Sequence, residues 1–157
     1  MIPSSLPIIL QAGQGEMTRL PENASQVWKA TGETTNGALD FWVEVVPAGL
    51  GPPQHLHAQH DELFWMVKGT FQIKVADRIL NVSEGASLFL PRGRVHAFRN
   101  VGTETGHLLL GLLPGGVMRA YFEELGRLFL SGPPDQRALS QVGAKYNVIF
   151  VGPPLEG

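Results

Sequence analysis

Four of the five histidines lie between positions 55 and 96, and two of them, His55 and His57, are separated by one residue. In an extended segment residues i and i+2 point to the same face, so these two imidazoles can converge on one ion. The spacing runs Gly49-x5-His55-x-His57-x4-Glu62-x6-Gly69, and Ala58-Gln59-His60-Asp61 leaves room for the chain to turn and bring Glu62 to the same point. A second segment, Gly85-x5-Pro91-x-Gly93-x2-His96-x3-Asn100, offers a third imidazole at the head of its strand. Three neutral imidazoles and one carboxylate suit a single divalent transition metal (Mn, Fe, Co, Ni, Cu or Zn) and leave positions for water or substrate.

Those side chains need short strands to carry them. The pattern predicts strands over Leu39–Val46, Glu62–Lys68, Thr70–Val75, Arg78–Val82, Ser87–Leu90, His96–Val101 and His107–Leu113, separated by turn residues. In the first, Leu39, Phe41, Val43 and Val45 alternate with Asp40, Trp42 and Glu44, so the apolar set is expected to face a barrel and Trp42 to face out. The 19 glycines and 12 prolines are about a fifth of the chain, well above average usage, as closely spaced strands and tight turns require. The expected class is all-β, a sandwich or barrel. The first 25 residues or so lack strong periodicity.

After Pro114-Gly115-Gly116 the period changes. Met118, Tyr121, Phe122, Leu125, Leu128 and Phe129 form an apolar stripe that predicts a helix over Val117–Leu130. Asp135 is a candidate N-cap for a second helix through about Val142, and Asn147–Val151 is a last strand. A helix cannot enter a barrel filled with side chains. The first one is therefore expected across an outer face or a rim, where it could also narrow the mouth of the site.

The 157 residues suggest one domain, 1–157. The chain has no cysteine, which excludes a disulfide scaffold and a thiol nucleophile. A formal charge of -2 without a basic cluster argues against nucleic acid as a partner. No apolar run approaches the ~20 residues of a spanning helix, and the N-terminus does not read as a secretion signal, so the expected location is cytoplasmic.

The two histidine segments resemble the two motifs of the cupin superfamily, and both match its spacing without a gap. The resemblance implies a single cupin β-barrel, jelly-roll-like, with a core at about 26–114, a helical tail at about 117–145 and a final strand at about 147–151. It implies His55, His57, Glu62 and His96 as metal ligands inside the wider mouth. The wording Pro53-x-His55-x-His57-x3-Asp61-Glu62-x-Phe64 and the Phe-Glu-Glu-Leu tail are similar to the quercetin-dioxygenase-like subgroup. The implied activity is that of a metal-dependent dioxygenase acting on a small aromatic or enol substrate, with Glu62 as ligand and candidate base. The alternatives are a metal-assisted isomerase or lyase, or a cupin that binds a small molecule without catalysis.

With Glu62 facing inward, the period of two also turns Phe64 and Met66 inward, and Phe98 and Asn100 accompany His96. The expected substrate pocket, Phe64, Met66, Phe98 and Asn100, is apolar and aromatic with few hydrogen-bonding groups beyond the ligands. That favours a flat organic substrate over a sugar. His60 is expected exposed at a loop tip, with a supporting role beside the ligands as the alternative, His107 as an ordinary strand residue, and Asp61 in a loop hydrogen bond. Arg92, Arg94 and Arg99 read as solvated charge. An outward Trp42 and the apolar run Leu6–Leu10 would leave a patch that a monomer rarely shows, so a homodimer is expected.

Overall fold

Turn chemistry cuts this chain into short pieces. Gly49, Gly69, Gly85 and Gly93, the glycines of the two motifs, stand at φ +81, +99, +85 and +77, a region where a side chain would be strained. The computed structural model describes residues 6–157. Its strands are β1 (Met17–Arg19), β2 (Ser25–Ala30), β3 (Asp40–Val46), β4 (Pro53–His57), β5 (Asp61–Lys68), β6 (Phe71–Val75), β7 (Arg78–Val82), β8 (Ser87–Leu90), β9 (His96–Asn100), β10 (Gly106–Leu113) and β11 (Val148–Pro154). Two helices, α1 (Met118–Phe129) and α2 (Gln136–Lys145), separate β10 from β11. The periodic segments fall within a residue or a few of expectation. β1 and β2 carry too little alternation to be seen in the sequence.

The strands form two antiparallel sheets, ordered β1-β2-β3-β10-β5-β8 and β11-β4-β9-β6-β7. Together they make an all-β, jelly-roll-like sandwich. Trp28, Trp42, Phe64, Met66, Leu108, Leu110 and Leu112 from the first sheet, and Phe71, Ile73, Phe98 and Val148 from the second, belong to one buried core. Each such side chain contributes about 1.5–3 kcal/mol through area removed from water.

The face assigned to β3 is the reverse of the expected one. Asp40, Trp42, Glu44 and Val46 are buried, while Phe41, Val43 and Val45 are only half-buried on the outside. Three specific interactions decide it. Trp42 packs on Trp28 at 5.4 Å between ring centroids and on Phe122 of α1 at 6.0 Å. Glu44 accepts hydrogen bonds from Trp42 Nε1 and Gln26 Nε2. Asp40 Oδ1 accepts from Gly32 N at 2.7 Å, and its Oδ2 accepts from the backbone N–H groups of Gly116, Val117 and Met118 at 2.8–3.0 Å.

Asp40 thus supplies, from another element, the cap that Val117 cannot. α1 is thereby fixed at the open end of the sandwich. Met118, Tyr121 and Leu125 are buried and Phe122 and Phe129 pack half-buried against the core. Tyr146 Oη donates to Glu124 at 2.7 Å, Lys145 pairs with Glu124, and Arg119 pairs with Glu16 and Glu123. The helix is held from three sides.

Asp40→Ala leaves four backbone donors without their acceptor. We expect it to lower unfolding free energy by about 3 kcal/mol or more in chemical denaturation. Unchanged stability would show that α1 does not depend on this carboxylate.

Candidate metal centre and cavity

β4 and β9 are neighbours, with His55 directly opposite His96 in register. His57, two residues on, shares the face of His55. The three rings stand 4.4, 5.2 and 5.6 Å apart between centroids, and their ligating nitrogens lie within 4.8 Å of one another. Glu62 reaches the same point from the facing sheet: its Oε2 is 2.9 Å from His96 Nε2 and 3.3 Å from His57 Nε2. All four side chains are buried.

Tautomers follow from the backbone. His55 Nδ1 contacts the Pro53 carbonyl at 2.8 Å and His96 Nδ1 the Arg94 carbonyl at 2.9 Å. A carbonyl only accepts, so in both rings Nδ1–H donates and, in the neutral ring, Nε2 keeps its lone pair. Glu62 Oε2 and His96 Nε2, though 2.9 Å apart, have no hydrogen-bond partner. Two lone-pair atoms held face to face in a buried pocket are what a shared cation relieves. The donor set, three imidazole nitrogens and one carboxylate oxygen, fits a divalent transition metal.

The charges agree. Burial acts to raise the Glu62 carboxyl, but His57 and His96 beside it outweigh burial and hold it well below the usual carboxylate range. Burial pushes His55 down to about 3, and His96 and His57 act in the same direction, so its ring is neutral. For His96 burial works downward, yet the Glu62 carboxylate in contact with it carries it above its ordinary value. A proton and a metal ion compete for one place there.

Above the cluster lies a cavity of about 270 Å³. His55, His57 and Glu62 line it together with Trp42, Phe98 and Phe150 from the sandwich and Tyr121, Phe122, Leu125 and Phe129 from α1. α1 is one wall of the cavity.

Residues 41–111 match the cupin domain family, a span that contains both histidine motifs. The chain carries a cupin domain. The sequence of this cupin is similar to a quercetin 2,3-dioxygenase of Bacillus subtilis (strain 168), 23% identical over 122 residues, 78% of this chain and 35% of that protein. The chain therefore spans about a third of that relative's length. Its fold is similar to an RmlC-like cupin from Shewanella frigidimarina (TM-score 0.60, 20% identity, 70% of this chain and 93% of that one). It is also similar to a predicted oxalate decarboxylase from Thermotoga maritima (TM-score 0.60, 16% identity, 68% and 98%) and to KdgF from Halomonas (TM-score 0.58, 15% identity, 68% and 94%).

Of the pocket residues expected from strand alternation, Phe98 lines the cavity of this cupin. Phe64, Met66 and Asn100 point inward and are buried, but they lie outside the cavity lining. Phe64 meets the His96 ring edge-on at 6.0 Å. Asn100 is fully used in hydrogen bonds, donating to the Val46 and Glu104 carbonyls and accepting from Gly102 N. His60 is buried rather than exposed, because Ala58 N–H bonds the Asn147 carbonyl and draws the loop inward. Asp61 does form a polar contact: it accepts from the Arg92 backbone N–H and, two-pronged, from its guanidinium, at 2.9–3.1 Å. His107 is half-buried on β10, as an ordinary strand residue is.

Glu44 is the cavity residue that the reversed face of β3 concealed. Its expected outward position left the lining without a second carboxyl, yet it is buried and lines the cavity. Burial raises it to about 7, against the lowering effect of hydrogen bonds from Trp42 and Gln26, and the charge of Glu62 adds to the rise.

A carboxyl raised in the folded state contributes stability while it is protonated and loses it as pH climbs from the unfolded value of 4.5 through about 7. Compared with wild type, Glu44→Gln should gain about 3 kcal/mol of stability between pH 5 and pH 8 in denaturation of the metal-free protein. Parallel stability curves for the two proteins across that range would contradict this.

Proposed function

We propose that this cupin is a metal-dependent oxidoreductase of dioxygenase type acting on a small aromatic or enol substrate. The observation that carries the reading is the apolar, aromatic cavity that opens directly onto the His55–His57–Glu62–His96 cluster. His55, His57, His96 and Glu62 would hold the metal. A divalent transition metal there supplies Lewis acidity toward a substrate oxygen anion and a redox centre for dioxygen. The likeness to a quercetin 2,3-dioxygenase supports the aromatic class.

The chain's own groups have defined tasks in this reading. The Pro53 and Arg94 carbonyls orient His55 and His96 so that Nε2 faces the cluster. Trp42, Phe98 and Phe150 offer flat surfaces to a ring, and α1 excludes water. Glu62, ionised beside the imidazoles, accepts the proton of an enol or phenol as it enters.

The double variant His57→Ala/His96→Ala should keep its β-rich circular dichroism and lose bound metal by elemental analysis. Retained stoichiometric metal would overturn the ligand set. Metal-loaded wild type should consume oxygen with at least one of a panel of catechols, flavonols and diketones. Turnover of a panel member without oxygen uptake would favour isomerase or lyase chemistry.

We also propose a homodimer, on a surface that keeps the expected Leu6–Leu10 run but not Trp42. Trp42 is buried, so it contributes nothing outside. Among the exposed apolar side chains of the described residues, Leu63, Trp65 and Val67 of β5 and Phe89 of β8 share one sheet face, and Leu63 lies directly opposite Phe89. Leu6, Ile8, Ile9 and Leu10 are exposed as well. A contiguous apolar sheet face of this kind favours a second copy. Light scattering should give about twice 17.1 kDa, and Trp65→Glu should reduce the mass to that of one chain. A wild-type mass near 17.1 kDa at micromolar concentration would refute the dimer.

A further inference from the structure

Glu44 has no role in the metal cluster. It lies on the inner face of β3, buried, and on the cavity wall. Its oxygens are held by neutral donors, Gln26 Nε2 to Oε1 at 2.8 Å and Trp42 Nε1 to Oε2 at 2.7 Å. Each oxygen accepts one bond, so the group keeps unused capacity for a ligand. A buried carboxyl held only by neutral partners is costly where an apolar residue would fill the space. Trp42 and Gln26 alone do not account for it.

Its position relative to the cluster is set by the sheet. On β10, Leu112 lies opposite Glu62 and Leu108 opposite Glu44. The two stems therefore leave the sheet four residues apart, roughly 13 Å along the strand. A ligand oxygen arriving at this second end meets Glu44.

We propose that Glu44 is the second polar anchor of the cavity, binding an oxygen function on a flat ligand at the end remote from the histidine cluster. The ligand class is then a fused- or two-ring molecule with oxygen at both ends: an anion-forming pair for the cluster and a hydroxyl or carbonyl for Glu44. Because burial raises its carboxyl to about 7, Glu44 offers both O–H and lone pairs near neutrality. This specificity rests on the reading that the cluster holds a metal which takes the ligand's first oxygen.

The test uses two probes, 2,3-dihydroxynaphthalene and 2,3,6-trihydroxynaphthalene, titrated calorimetrically into manganese-loaded protein without oxygen. The 6-hydroxyl should tighten binding about tenfold in wild type, the worth of one hydrogen bond. Glu44→Gln should keep that gain, since Gln26 can turn its amide and offer the now unpartnered Oε1 to the new side chain. Glu44→Leu should abolish the gain while binding the diol within threefold of wild type. Glu44→Met, unbranched like glutamate, serves as a second apolar variant, with folding checked by circular dichroism.

Equal affinity of the two naphthols for wild type overturns the role of Glu44 and leaves the metal-site reading standing. So does equal weakening of both probes by the apolar variants, which would make Glu44 a support for Trp42 and nothing more. Binding of neither probe to metal-loaded protein overturns the metal-site reading and this inference with it.

Discussion

Asp40 accepts four backbone N–H groups from two separate segments, one at Gly32 and one at the start of α1. That carboxylate lies on the inner face of the six-stranded sheet, so it anchors the helix over the open end of the sandwich. The approach is close enough that a Cβ on Gly32 would stand 2.2 Å from Gly116 N, and one on Gly115 would stand 2.1 Å from the Leu39 carbonyl carbon. Only glycine fits at either position. With α1 so placed, Phe122 completes the aromatic group with Trp28 and Trp42, and the cavity gains its outer wall.

Excluding water from that cavity has opposite effects on its two carboxyl groups. Both are desolvated, which disfavours the charged form. Glu62 has two imidazoles in contact and remains ionised, whereas Glu44 has an indole and an amide and retains its proton to about 7. One site thus contains a carboxylate that stays ionised and a carboxyl able to donate a hydrogen bond. Environments that push two acids apart in this way allow one pocket to hold an anion at one end and a neutral oxygen at the other.

The six-stranded sheet is apolar on both faces, and this explains its resistance to a simple reading. On β5 the inward set is Glu62, Phe64 and Met66, and the outward set is Leu63, Trp65 and Val67. On β3 the inward set is Asp40, Trp42, Glu44 and Val46, and the outward set is Phe41, Val43 and Val45. A rule that sends the apolar alternation inward fails where inward charges are partnered and the outer face is itself apolar. The structure ties the two faces together through β10: inward Glu62 turns Trp65 outward, and Leu109 lies opposite both Trp65 and Val43, so Val43 shares that outer face.

Local chemistry settled much of this protein from sequence alone. The motif glycines at positive φ, the alternation in β5 to β10 and the 3.6-residue stripe of α1 are properties of neighbouring residues, and they place the elements and bring His55 and His57 to one face. The union of His96 with Glu62 across two sheets was legible because both motifs carry their spacing. What the tertiary structure alone decided is long-range. Asp40 caps a helix nearly eighty residues away, Gln26 meets Glu44 across a pair of strands, and the 58–60 loop draws His60 inward. No local pattern encodes such pairings, because a buried polar residue and a surface one have the same side chain until a partner from elsewhere in the chain satisfies it.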